Sequence, residues 1–316
     1  MAEMPTQAID HSEFEVSRIA LGCMGLAGTW NPAEVGEEHR KNAIASVEAA
    51  LEVGINLFDH ADIYGGTACE SIFKDCLESI KPDRETLYIT TKVGIRNGYY
   101  DHSPEYIRES VEASLTRLGI EYIDLYQLHR PDPFSHPEET AEVLDELVEE
   151  GKIRAVGVSN YYPHQCSALA SFLQTPIETN QFEFSLLHLY PLYEGREGQG
   201  GDGVLDHCIA NDVTPLAYSP IGRGWLSGTR EIPADHAEKE RIEAIALELR
   251  TQGLSYGATS TQLALAWILA HPAGIIPLIG SNKPEHIREA AGAAQIELSR
   301  TDWYRLWTAS RGSRVP

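Results

Sequence analysis

The sequence predicts an α/β fold, a closed (β/α)8 TIM barrel, on three observations. Eight short apolar runs are each followed by a turn signal and a stretch of helical periodicity. The length, 316 residues, suits a barrel built as one unit. No linker or composition break divides the chain, so residues 1–316 read as a single domain. Short apolar strands alternating with helices imply parallel pairing, because each crossover needs a helix, and eight repeats favour closure over an open doubly wound sheet.

In chain order, Met4–Val16 shows weak alternation and is expected to form a hairpin at the barrel floor. Arg18–Gly22 (RIALG) is the first barrel strand. It leads to a helix over Glu37–Val53, where Ala43, Val47, Ala50 and Leu51 keep the 3–4 spacing and Gly54 supplies the stop. Asn56–His60 (NLFDH) precedes a helix from about Ala68 to Ile80, with Cys69 and Cys76 on one packed face. Leu87–Val93 leads to Pro104–Leu118, opened by Ser103 as N-cap and Pro104 at the first helical position. Tyr122–His129 leads to Pro137–Glu150, which Gly151 ends, and Ile153–Ser159 to a helix near Pro163–Leu173. Ile177–Phe184 and Val213–Ser219 follow, with helices near Asp202–Asn211, Ala237–Gly253 and Thr259–His271. Ile275–Gly280 and a helix near Pro284–Ala294 complete the set. Two loops exceed what a barrel requires: Tyr190–Gly203, glycine-rich and expected to be mobile, and Gly222–Asp235.

Charge narrows the partners. Lys and Arg number 25 against 47 Asp and Glu, a net charge of −22. No basic run exceeds His39-Arg40-Lys41, so neither nucleic acid nor an anionic membrane surface is an expected partner. Ordinary acidity and adaptation to high salt both account for the balance. The five cysteines (Cys23, Cys69, Cys76, Cys166, Cys208) are odd in number, and none pairs with another Cys or a His at metal-ligand spacing. No metal is expected. The opening MAEMPTQAIDHSEFEV has neither a basic nor an apolar leader region, and no apolar stretch approaches membrane-spanning length. A cytoplasmic protein with reduced thiols is expected.

Chemistry in a barrel sits at the C-terminal strand ends. Four polar residues stand there: Asp59 after NLF, Tyr64 in ADIYG, Lys92 in YITTKVG and His129 in IDLYQLH. A Lys within an apolar strand needs a partner, since an unpaired buried charge is very costly, and Asp59 on the adjacent strand is suited to the part. Tyr64 beside Lys92 is expected to have its pKa lowered from about 10. His129 offers a donor to polarise a carbonyl oxygen. Each residue alone also fits a structural role: a turn cap, a satisfied core histidine, simple packing. All four at or just after the ends of consecutive strands is harder to assign to chance.

The motifs NLFDHADIYG, ITTKVG, LYQLHRPDP and GVSN, in this order, resemble those of the aldo-keto reductases, with the likeness running from about Arg18 to Ala294. The resemblance implies metal-free carbonyl reduction with a nicotinamide cofactor. It places the family's catalytic tetrad on Asp59, Tyr64, Lys92 and His129, with Tyr64 as general acid. It further implies that Ser159, Asn160 and Gln181 bind the carboxamide and that Tyr218 stacks on the nicotinamide. Gly22, Cys23 and Met24 would lie near the nicotinamide and ribose, and Ser219, Pro220, Ile221, Gly222, Arg223, Gly224, Trp225 and Leu226 would fold over the pyrophosphate. Gly280, Ser281 and Lys283 ahead of a helix would form the phosphate end, with His286 where many relatives carry an Arg, and with Glu289 near the adenine.

NADPH is the expected cofactor, with NADH possible, because an imidazole cannot reproduce the bidentate grip of a guanidinium. Trp30, Tyr99 and Arg130, with Tyr100 and Phe134, are the candidate pocket walls for a small carbonyl substrate. Two other classes stay open: a non-catalytic cofactor sensor, and a class I aldolase with a Schiff base on Lys92.

Overall fold

The computed structural model describes residues 3–9, 11–192 and 203–314. Strands β1 (Thr6–Ala8) and β2 (Glu15–Ser17) pair antiparallel, Gln7 opposite Val16, as the expected hairpin. Eight further strands follow: β3 (Ala20–Gly22), β4 (Leu57–Asp59), β5 (Tyr88–Val93), β6 (Ile123–Leu128), β7 (Ile153–Ser159), β8 (Ile177–Glu183), β9 (Thr214–Tyr218) and β10 (Ile276–Ile279). All eight run parallel, and β10 pairs back onto β3 through Leu278–Ala20 and Ile279–Leu21 to close the barrel. The helices are α1 (Glu37–Glu52), α2 (Ala68–Ile80), α3 (Pro104–Leu118), α4 (Pro137–Glu149), α5 (Pro163–Ala170), α6 (Val204–Ala210), α7 (Lys239–Tyr256), α8 (Ser260–Leu269), α9 (Pro284–Ala291) and α10 (Arg300–Arg311).

The hairpin closes the floor. Ile9, Phe14 and Val16 are buried in one cluster with Ala20, Leu57, Leu125, Ala155, Leu216, Ile276 and Leu278, residues from the lower parts of the strands. Apolar burial drives this contact, at about 25 cal/mol per Å2 removed from water. The larger clusters fill the space between strands and helices, where each helix turns its periodic face inward; Ala43, Val47, Ala49 and Ala50 of α1 are fully buried.

Several expected boundaries move. Strands shorten to the residues that find ladder partners, so Arg18, Asn56 and Leu87 fall outside them. Gly54 does end α1, at φ 82°, in the left-handed region that glycine enters freely. Ser103 sits at the N-cap of α3 but does not cap it, because its hydroxyl donates to Asp101 Oδ1 at 2.7 Å instead. The helix expected to reach Leu173 ends at Ala170, and the helix expected to reach Ala294 ends at Ala291, where a 3-10 turn takes over. Residues 193–202 of the glycine-rich loop, with its expected mobility and the expected helix start at Asp202, lie outside the described residues. Helix α10 was not expected; it packs Trp303 face to face on Trp267, ring centroids 5.1 Å apart, with each indole nitrogen donating to the other residue's carbonyl.

Candidate active site

Asp59 ends β4, Lys92 lies near the end of β5, His129 follows β6 directly, and Tyr64 opens a 3-10 turn after β4. Parallel pairing brings their strand ends to one mouth. Lys92 is fully buried, and its Nζ donates to Asp59 Oδ2 at 2.7 Å, to the His60 carbonyl at 2.6 Å and to Tyr64 Oη at 3.3 Å. The Tyr64 and His129 rings meet edge-on, centroids 5.9 Å apart.

These contacts set the charges. Burial alone lowers the Lys92 pKa, but Asp59 and then Tyr64 outweigh it and hold the ammonium above its ordinary value. Burial pushes Tyr64 up to about 12, with Lys92 only partly opposing. This corrects the expectation of a lowered phenol: the desolvation cost of a phenolate exceeds what one cation returns. Tyr64 is therefore a neutral O–H donor at physiological pH. His129 is pushed down to about 2, first by burial and then by Lys92 and Arg130, so its imidazole is neutral. A neutral phenol backed by an ammonium, beside a neutral imidazole, can hydrogen-bond and protonate one oxygen between them.

The remaining expected residues ring this mouth. Asn160, at φ 62°, takes its amide to the Gln181 carbonyl at 2.7 Å; its Nδ2 reaches Ser159 Oγ at 2.8 Å, and its Oδ1 accepts from Tyr218 Oη at 2.9 Å. Gln181 Nε2 donates to Asp59 Oδ1 at 2.8 Å. Arg130, half-buried, lies against Tyr218. After β9, Ser219, Gly222, Arg223 and Gly224 all have positive φ, from 52° to 89°. Such a run makes a tight turn, in which the Gly222, Gly224 and Trp225 amides donate to the Ser219, Ile221 and Gly222 carbonyls, and a Cβ on Gly222 would lie 2.4 Å from Leu187 Cδ1. Pro220 and Leu226 are buried beneath this loop, while Ile221 and Trp225 are half-buried.

On the other side, Gly22 ends β3, and Cys23 and Met24 follow it. Cys23 is buried, its thiol pushed well up by burial, and Met24 is exposed. Asn282 Nδ2 donates to the Gly25 carbonyl at 2.7 Å, fastening this loop to the Gly280–Lys283 segment. Ser281 Oγ stands 3.4 Å from His286 Nδ1 at the start of α9, Lys283 is exposed and Gly280 faces open space. Arg288 points elsewhere, paired with Glu52 at 2.6 Å. Glu289 is half-buried on the same helix. The cation at Arg223 and the Ser281–Lys283 helix start, with its hydroxyl and ammonium, suit the phosphates of a dinucleotide. Trp30, Tyr99, Tyr100 and Phe134 are exposed.

Two features went unread in the sequence. Gln127 on β6 is buried within the barrel and reaches Asp59; a polar residue in an apolar strand is the same signal that marked Lys92. Behind the site, buried Asp62 accepts from Tyr106 Oη and Ser110 Oγ, both at 3.2 Å. Glu70 accepts from Thr91 Oγ1 and Arg117 Nε, both at 2.6 Å. Burial, then Glu70, pushes Asp62 up to about 6. Among the described residues no group of three or more His, Cys, Asp or Glu could hold a metal ion, and no helix is long and apolar enough to cross a membrane.

The model of the Aldo/keto reductase family matches residues 18–310. The chain is 38% identical to the 6-dehydroglucose reductase of Novosphingobium aromaticivorans, with all of both chains covered. It is 30% identical to a Schizosaccharomyces pombe aldo-keto reductase whose name carries NADP(+), covering 94% of this chain and 88% of that one. Among solved structures it is similar to the glycerol dehydrogenase of Gluconobacter oxydans, with a TM-score of 0.82 at 26% identity, covering 98% of this chain and 97% of the other.

Proposed function

The chain belongs to the aldo/keto reductase family, and from that premise we propose that it reduces the carbonyl of a small aldehyde or ketone to an alcohol with NADPH. The observation that carries this reading is the Lys92 ammonium bridging Asp59 at 2.7 Å and Tyr64 at 3.3 Å. Tyr64 donates its proton to the carbonyl oxygen as charge develops there. Lys92 stabilises the resulting phenolate, which burial alone would make a poor leaving charge. Asp59 keeps Lys92 charged and oriented, and neutral His129 hydrogen-bonds the same oxygen.

When bound, the cofactor supplies the hydride. Ser159, Asn160 and Gln181 would hold its carboxamide, Tyr218 its ring, and the Gly222–Gly224 turn with Arg223 its pyrophosphate. Ser281, Lys283 and His286 would hold the 2′-phosphate, a reading that the NADP(+) in one relative's name favours. Another relative's name, 6-dehydroglucose reductase, favours a sugar-derived carbonyl as substrate. In that case Arg130 beside Tyr218 is the polar wall suited to hydroxyl groups, and Trp30 and Tyr99 are outer walls. Five buried free cysteines favour a cytoplasmic setting.

The Schiff-base alternative requires a free amine, whereas Lys92 is held charged by three acceptors. Tyr64→Phe tests the proposal. Carbonyl reduction should fall at least about a hundredfold with cofactor affinity kept, since only the proton donor is lost. Near wild-type turnover would sink the tetrad assignment. Tight cofactor binding with no turnover by the wild type across a carbonyl panel would instead favour a sensor.

A further inference from the structure

Gln127 has no part in the function proposed above, yet its placement is specific. It lies on β6 in register with Lys92 on one side and Gly157 of β7 on the other. Its side chain is fully buried, where an amide is costly unless its hydrogen bonds are made. Its Nε2 donates to Thr90 Oγ1 at 2.8 Å and reaches Asp59 Oδ1 at 3.4 Å. Gly157 leaves the room for this: a Cβ there would lie 2.9 Å from Gln127 Cγ and 2.4 Å from Thr179 Oγ1.

Asp59 thus carries Lys92 on Oδ2 and two amides on Oδ1, from Gln181 at 2.8 Å and from Gln127. A carboxylate with one ion pair can still swing about its own axis. The amides on the second oxygen fix its plane. Of the two, Gln181 has a proposed second duty toward the carboxamide, while Gln127, anchored on Thr90, has none.

The geometry points to Gln127 as a positioning residue for the reaction: it holds the Asp59 carboxylate in the orientation that keeps Lys92 against Tyr64. This inference rests on the function proposed above. It predicts that Gln127 acts through Asp59 alone, which a double-mutant cycle measures.

The test uses the full chain with NADPH and two probe carbonyls, 4-nitrobenzaldehyde and glyceraldehyde. Gln127→Leu keeps the volume and should lower kcat about tenfold, the scale of one hydrogen bond to a charged group, with the dissociation constant for NADPH unchanged. In an Asp59→Asn background the same change should have no further effect. Thr90→Val, which removes the anchor, should lower kcat in the same direction and serves if the first variant does not fold. Wild-type kcat in both single variants would overturn the inference. So would a loss that multiplies with Asp59→Asn, which is the mark of a general packing role. Near wild-type turnover in Tyr64→Phe is a separate result and would overturn the underlying function.

Discussion

Replacing Lys92 with methionine isolates the energy of the buried pair. The ammonium is fully buried and makes contacts of 2.7, 2.6 and 3.3 Å. Its loss leaves Asp59, itself 2% exposed, as a carboxylate with only amide partners. Breaking a buried pair from one side costs about 3–5 kcal/mol. At about 2.1 cal/mol/K per residue, the unfolding entropy of 316 residues is about 0.66 kcal/mol/K, so the melting temperature should fall by about 5–8 °C. Asp59→Asn combined with Lys92→Met removes the stranded charge and should melt above Lys92→Met alone. The pH dependence has a definite sign. The pKa of Lys92 is raised in the folded state, so its contribution is complete below the ordinary lysine value and fades only in stronger alkali. The gap between wild type and variant should therefore stay constant from pH 6 to 9. Thermal melts followed by circular dichroism measure all three quantities. A variant melting with the wild type, or a double variant melting below Lys92→Met, would refute the reasoning.

Acid should destabilise the fold. Burial, the largest cause in each case, holds His60 at about 3, His102 at about 4 and His129 at about 2, all below the usual 6.5, so the unfolded chain takes up more protons as pH falls below 6.5. Asp62, raised to about 6, works in the opposite direction. Three groups against one, at about 1.4 kcal/mol per pH unit each, leave roughly 2.7 kcal/mol per unit near pH 5, or about 4 °C in melting temperature. Melts between pH 7 and 5 that stay level would exclude this, and Asp62→Asn should steepen the fall. NADPH should be preferred over NADH in kcat/KM, and His286→Ala should narrow the margin. Equal use of both cofactors would show that Ser281, Lys283 and His286 form no phosphate site.

The barrel was legible because each strand is a short apolar run followed by a periodic helix, and burial on both faces leaves that pattern little freedom. Strand ends were less so, since a residue such as Leu87 is apolar whether or not it finds a ladder partner; its amide bonds the Arg84 carbonyl instead. Helix α10 escaped because TDWYRLWTASR carries its aromatic residues on a polar background, although Ser299, whose hydroxyl accepts the Asp302 amide, is a readable cap. Asp59, Tyr64, Lys92 and His129 could be picked out as polar endings of apolar runs. The direction of the Tyr64 shift could not, because it depends on how much water the fold removes, and no residue type encodes that. The Asp62 and Glu70 clusters are tertiary, joining the loop after β4 to α3, and α2 to β5 and α3, across positions distant in sequence.

The pairing of β10 with β3 sets an order on assembly. Leu21 leaves the ribosome 258 residues before its partner Ile279. Until then the nascent sheet has two raw edges, and β3 and β9 stand as open templates for other chains. Next to the seam that ends this exposure, the loop after β3 is tied to Asn282 through Gly25, and the Asn282 carbonyl accepts from Ser46 of α1. Completing the cylinder thus also completes the cleft proposed for the dinucleotide. On the proposed function, a nucleotide spanning the seam would act as its clasp against reopening.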